Sequence, residues 1–175
     1  MIQNERDCRH EHVLDVARQM LTAARTAPKG KGIDVIEAAL VTGEDIKKLS
    51  EKMVAMVEEH GMKFFLRDAD NILQAECVII IGTREQTQGL NCGHCGFPTC
   101  AGRPEGVPCA LNTVDVGIAV GSACACRFEG GYPCHVFCRT CRSAFGLAER
   151  MQDCLCHSGE CILQESILRP ETEGR

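Results

Sequence analysis

Residues 77–82, Cys77-Val78-Ile79-Ile80-Ile81-Gly82, read as the best strand in the chain: β-branched, free of charge and ended by glycine. A strand without a polar face is buried on both sides, so helices are expected to pack above and below it. Cys77 at its start is most simply a buried apolar residue. Helical periods occur on either side of this run. From Glu5 to about Arg25, Val13, Ala17, Met20, Leu21 and Ala24 recur on one face. Thr42-Gly43-Glu44-Asp45 opens a second helix, with Thr42 as cap and two acids in the first turn, where the helix dipole favours anions. Ile46, Leu49, Met53 and Val57 form its buried stripe, and Gly61 supplies the stop. Met53, Met56 and Met62 read as core filler. Ala110 to Ala123 reads as a third helix, with Leu111, Val114, Ile118 and Gly121 on one side. Gly117 and Gly121 there permit close approach of another backbone. Asp34 to Val41 reads as a short amphipathic segment, and Phe64-Phe65-Leu66 as a strand or buried turn. A polar linker follows at 67–71, in which Asp68 and Asp70 suit a turn or helix start better than a carboxylate pair.

A second feature limits the chemistry. Cys92, Cys95, Cys100 and Cys109 are separated by two, four and eight residues in a segment rich in glycine and proline. A [4Fe–4S] cluster needs four inward-pointing thiolates, commonly three from one loop and one from further along. Cys92, Cys95 and Cys100 are the loop ligands expected here, and Cys109 the fourth. Gly93 and Gly96 can adopt positive φ and turn backbone N–H groups toward the sulfurs. Pro98 and Pro108 stiffen the approach. Tetrahedral zinc on the same thiolates is the competing reading, but zinc modules usually pair two Cys-x2-Cys hooks, and only one hook exists here. His94 suits a solvent or outer-shell place better than ligation. No His or Asp partner pattern singles out one thiol as a nucleophile, so the catalytic residues are unknown.

Charge and composition exclude several classes. A net charge of −5, a pI of about 5.7 and 4% aromatics argue against a nucleic-acid partner. No apolar run approaches the roughly 20 residues of a membrane helix, and the polar start lacks a signal-peptide pattern. A cytoplasmic chain with no membrane association is expected. Reducing conditions there point fourteen cysteines toward metal or redox chemistry, with an unidentified redox protein as partner. Arg25, Lys29 and Lys31 place three cations on the loop Arg25–Gly32 of this acidic chain, suited to an anion such as a flavin (FMN) phosphate, though a solvated loop is the plainer reading. His10 and His12 read as solvated helix-start residues.

The stretch Asn91–Cys109 resembles the four-iron–four-sulfur domain of the B subunit of Rnf complexes and of the corrinoid iron–sulfur protein, whose fourth Cys usually lies further on. Asn4-Glu5, Ala23-Ala24-Arg25-Thr26-Ala27-Pro28-Lys29, Thr42-Gly43-Glu44, Phe65-x-Arg67-Asp68-Ala69, Ile81-Gly82, Gly89-Leu90-Asn91-Cys92-Gly93 and Asp115-x-Gly117-Ile118-Ala119 resemble an uncharacterised prokaryotic family of ferredoxin-domain proteins. That resemblance runs from about residue 2 to residue 123 and implies a bound [4Fe–4S] cluster without naming a reaction. The Arg25–Gly32 loop bears a slight resemblance to the flavin-phosphate loop of nitroreductases. The expectation is an α+β fold, several helices on a small sheet with a Cys-rich iron–sulfur loop, in one domain over 1–123 that contains the loop at 91–109. Its expected role is electron transfer or redox support as a ferredoxin-like protein. The alternatives are a flavin-containing iron–sulfur reductase and a non-enzymatic zinc module.

Residues 124–175 do not continue the pattern. Eight cysteines, from Cys124 to Cys161, stand there without a sustained apolar period. Read one nucleotide later, codons for residues 135–143 permit Met-Phe-Ser-Val-Gly-Arg-Ala-Ala, and codons for residues 167–172 permit Phe-Phe-Asp-Arg-Lys, both resembling the family's continuation. The tail is therefore expected to be disordered or the product of a frame slip near Gly121–Cys126, rather than a second metal module.

Overall fold

The computed structural model describes residues 2–61, 63–84, 86–130, 135–139 and 161–166. Helix α1 (Glu5–Thr26) starts at Asn4, whose side chain accepts the Arg6 N–H, as an N-cap should. Strand β1 (Ile36–Thr42) leads through Gly43, at φ 57°, into α2 (Glu44–His60). Helix α2 ends on the left-handed Gly61, whose N–H returns to the Val57 carbonyl. Helix α3 (Phe64–Ile72), β2 (Cys77–Thr83) and α4 (Ala110–Gly130) follow, then β3 (His135–Arg139) and β4 (Cys161–Ser166).

The sheet order is β1-β2-β4-β3, antiparallel throughout, with Ile36 opposite Thr83 and Thr42 opposite Cys77. All seven residues of β2 are buried. Because side chains alternate across a strand, this one strand serves two core layers. Val78 and Ile80 face α2 and α3, among Leu49, Met53, Met56, Phe65 and Ile72. Cys77, Ile79 and Ile81 face α1 and α4, among Ala17, Met20, Val116, Ala119 and Val120. The expected helices on both sides of the 77–82 run are therefore present, and the α+β class is observed. Among the described residues no helix is long and apolar enough to cross a membrane.

Several local expectations are corrected. Phe64-Phe65-Leu66 and the supposed linker are one helix: Phe65, Asp68, Ala69 and Ile72 bury a face with spacings of three and four. Asp68, fully buried, pairs with Arg67, while Asp70 is exposed, so the two carboxylates do not act together. The amphipathic segment before residue 42 is the strand β1. Thr42 ends that strand and does not cap α2, since the N-cap is Gly43 without a side-chain bond. In α4 the buried face carries Asn112, Asp115, Val116, Ala119, Val120 and Ala123. Val114 and Ile118 point outward, 52% and 39% exposed. Cys124 and Cys126, which headed the tail's possible metal pattern, lie on α4 and are partly buried against the α1 layer. Met62 and most of the tail lie outside the described residues, as does the environment of every later cysteine.

Candidate functional site

The segment between β2 and α4 is anchored before it reaches the cysteines. Gln88, 2% exposed, donates from Nε2 to Asn112 Oδ1 at 2.9 Å, and Asn112 Nδ2 donates to the Gln86 carbonyl at 2.6 Å. This buried amide pair ties the loop entry to the first turn of α4. Asn91 then adopts φ 48°, unusual without a glycine but tolerated by Asn. Its Oδ1 accepts the Cys100 N–H at 2.8 Å and its own N–H approaches Cys100 Sγ at 3.4 Å. Gly93 and Gly96, at φ 73° and 85°, form a turn closed by the Gly96 N–H on the Gly93 carbonyl. A side chain at either would strain that turn.

Cys92, Cys95, Cys100 and Cys109 line one narrow cavity, with Asn91, Phe97 and Arg103 around them and only about 10 Å³ of room for water. Cys92 is exposed, Cys95 and Cys100 are half-buried and Cys109 is buried. Burial works to push the Cys109 thiol up, yet it is held below its ordinary range by the backbone N–H groups of Gln88, Asn112 and Leu111 and by the Arg103 charge. The donor set therefore suits a soft metal or iron–sulfur group: four thiols at one cavity, with N–H groups already directed at two sulfurs. Among the described residues, however, no three His, Cys, Asp or Glu side chains stand close enough to hold a metal ion. The thiols are gathered but not drawn to ligand distances. His94 is exposed and takes no part in the cavity lining.

The cationic loop starts at the end of α1. Arg25 Nη1 donates to Asp34 Oδ2 at 2.8 Å and also to the Ile36 carbonyl. Burial works to raise the Asp34 pKa, but the Arg25 hydrogen bond, the Ile36 N–H and the charges of Arg25 and Lys29 outweigh it and hold the carboxyl below its usual range. Lys29, its side chain only 6% exposed, donates from Nζ to the carbonyls of Arg25 and Ala27, completing the C-terminus of α1. Lys31 sits at φ 59° beside Gly32 at φ 69°, and its Nζ lies 3.5 Å from the Gln88 carbonyl. Gly30 donates its N–H to both carboxylate oxygens of Asp115 at 2.9 and 3.0 Å, and Asp115 is 3% exposed.

Two regions far apart in the chain thus meet. Lys31 reaches Gln88, whose N–H is directed at Cys109, the residue just before α4, and the first two turns of α4 supply Asn112 and Asp115. Gln88 and Asn112 carry no signal in the sequence that would single them out. Asp115 does carry one, as the sole charge between Ala110 and Cys126. Elsewhere, His10 Nδ1 lies 2.6 Å from Glu76 Oε2, and both line an open cleft of about 530 Å³ with Ile46, Lys47 and Glu51. His10 remains 57% exposed, consistent with a solvated residue at the start of the helix.

No protein-family model matches the chain. An uncharacterized protein of Archaeoglobus fulgidus is 40% identical over 133 residues, covering 70% of this chain and 72% of its own length. The chain belongs to that protein's family. Among solved structures, a nitroreductase family protein from Clostridium novyi NT matches with TM-score 0.59 at 12% identity, over 92% of this chain and 76% of its own. The nitroreductase CinD of Lactococcus lactis, in complex with chloramphenicol, matches with TM-score 0.59 at 15% identity, over 99% and 84%. An oxidoreductase containing FMN matches with TM-score 0.52 at 16% identity, over 91% and 67%. At such identities the likeness is one of fold.

Proposed function

We propose that the protein is a flavin-containing iron–sulfur reductase, with FMN beside the Arg25–Gly32 loop and a [4Fe–4S] cluster on Cys92, Cys95, Cys100 and Cys109. One observation carries this reading: the cationic loop and the four-thiol cavity meet at Gln88, in a fold shared with an FMN-containing oxidoreductase and with nitroreductases. It favours the combined cofactor set over a ferredoxin-like protein with a cluster alone. It also favours that set over a zinc module, to which the cationic loop would be irrelevant.

When bound, such groups supply one- and two-electron chemistry that no side chain provides. The chain's own residues have narrower tasks. Lys31 and the exposed side of Arg25 are the cations placed to meet a phosphate, while Lys29 holds the end of α1 to the loop. Asp115 fixes Gly30, and through it the path of the loop, against α4. Asn91 and the turn Gly93–Gly96 set the approach of the thiols, and N–H groups aimed at sulfur lower the cost of gathering negative charge there.

Anaerobic purification followed by iron, sulfide, zinc and flavin assays tests the reading. Iron, sulfide and flavin together are the expected result, and Cys95→Ser is expected to lose iron while retaining flavin. Iron and sulfide without flavin would leave an electron carrier only, and zinc alone would overturn the assignment.

A further inference from the structure

Arg103 is built into the four-thiol cavity by the backbone. The turn Cys100–Gly102 is capped by Thr99, whose Oγ1 accepts the Gly102 N–H at 3.2 Å, and the Arg103 N–H donates to the Cys100 carbonyl at 3.3 Å. Arg103 therefore follows the third thiol at a set position and lines the same cavity as all four. Its Nε and Nη1 are shut off from solvent and have no hydrogen-bond partner among the described residues. A guanidinium stays protonated in a protein, so this is a cation with two idle, desolvated donors. Such a charge is costly to bury unless something negative lies opposite it. Among the described residues lining the cavity there is no carboxylate, and thiols are the groups there that become anionic.

We propose that Arg103 is the internal counter-ion of the cysteinate-bound group, its Nε and Nη1 donating toward the negative charge gathered in the cavity and so raising the reduction potential of the site. The inference rests on the cluster reading above. Arg103 has no lone pair to offer a metal and is a positioning residue, not a ligand. Its effect has a definite sign. A four-cysteinate [4Fe–4S] cluster becomes more negative when it takes up one electron, so a fixed cation favours the reduced form.

The test uses the full chain, reconstituted anaerobically with iron and sulfide and titrated with dithionite, which supplies the electron, while the reduced cluster is followed by electron paramagnetic resonance. Arg103→Gln is expected to move the midpoint to a more negative potential, and Arg103→Lys to recover part of that shift. Lys47→Gln, an exposed charge outside this cavity, is expected to leave it unchanged. If Arg103→Gln loses iron while Arg103→Lys keeps it, the need for charge is again supported. Loss of iron from both variants would mark a packing role and overturn the proposal, as would an unshifted midpoint in Arg103→Gln. Wild-type chain that takes up no iron and sulfide overturns the cluster reading itself, an outcome visible before any variant is compared.

Discussion

Cys77 and Cys109 are both buried thiols, yet their surroundings drive ionisation in opposite directions. Cys77 lies inside the layer between β2 and α1, where loss of solvent, helped by the charge of Glu76, pushes its pKa up to about 11. Cys109 also loses solvent, but N–H donors and a neighbouring cation outweigh that loss. Thiolates are the reactive and ligating form, so Cys109 suits a ligand and Cys77 a structural residue. A pH dependence follows. The folded thiol of Cys77 titrates above its unfolded value of about 9, so its contribution is complete below pH 9 and is lost as pH rises through 11. Over that window the wild type is expected to lose roughly 2–3 kcal/mol more than Cys77→Ala, measured by urea unfolding at each pH. Equal alkaline losses in the two proteins would contradict the assignment. The presence of Arg103, with two idle donors, in the cavity lined by four thiols belongs to this scale too, and no spacing rule reveals it.

Among the elements, β2 carries the most weight because its two faces belong to different core layers. Ile80, fully buried among α2 and α3 residues, is expected to cost about 2–5 kcal/mol on replacement by Ala, through lost transfer energy and the cavity left behind. Val54→Ala, on the exposed side of α2, is expected to change stability by less than about 0.5 kcal/mol. Denaturant midpoints compare the two, and similar losses would show that β2 is not the shared wall of both layers. This strand, α1 and the body of α2 were legible because runs and periods of apolar residues report burial directly. Helix α3 was hidden because its inward face includes Asp68, so the polar stretch after Leu66 looked like a linker. Helix α4 was legible as a helix but not in its orientation. Val114 and Ile118 suggested an apolar face, whereas the inward face holds Asn112 and Asp115, whose polarity is matched by partners in distant loops.

For the whole molecule, we propose that the reading frame slips after the segment 1–123, near Gly121–Cys126. Resequencing the gene across codons 121–126 is expected to find a one-nucleotide discrepancy that restores the family's continuation. A stop codon in the shifted frame, or a confirmed reading of the present one, would refute it. What the sequence determined by itself was local: a strand without a polar face, two helices with clear periods, and four thiols at spacings that suit a cluster, because each of these depends on near neighbours. Only the tertiary structure decided that Lys31 meets Gln88, that Asp115 anchors Gly30 across 85 positions, and that Arg103 shares a cavity with Cys92 and Cys109. Those contacts arise when helices pack on both faces of β2 and bring loop ends together, and closing such long loops leaves no local periodicity to read.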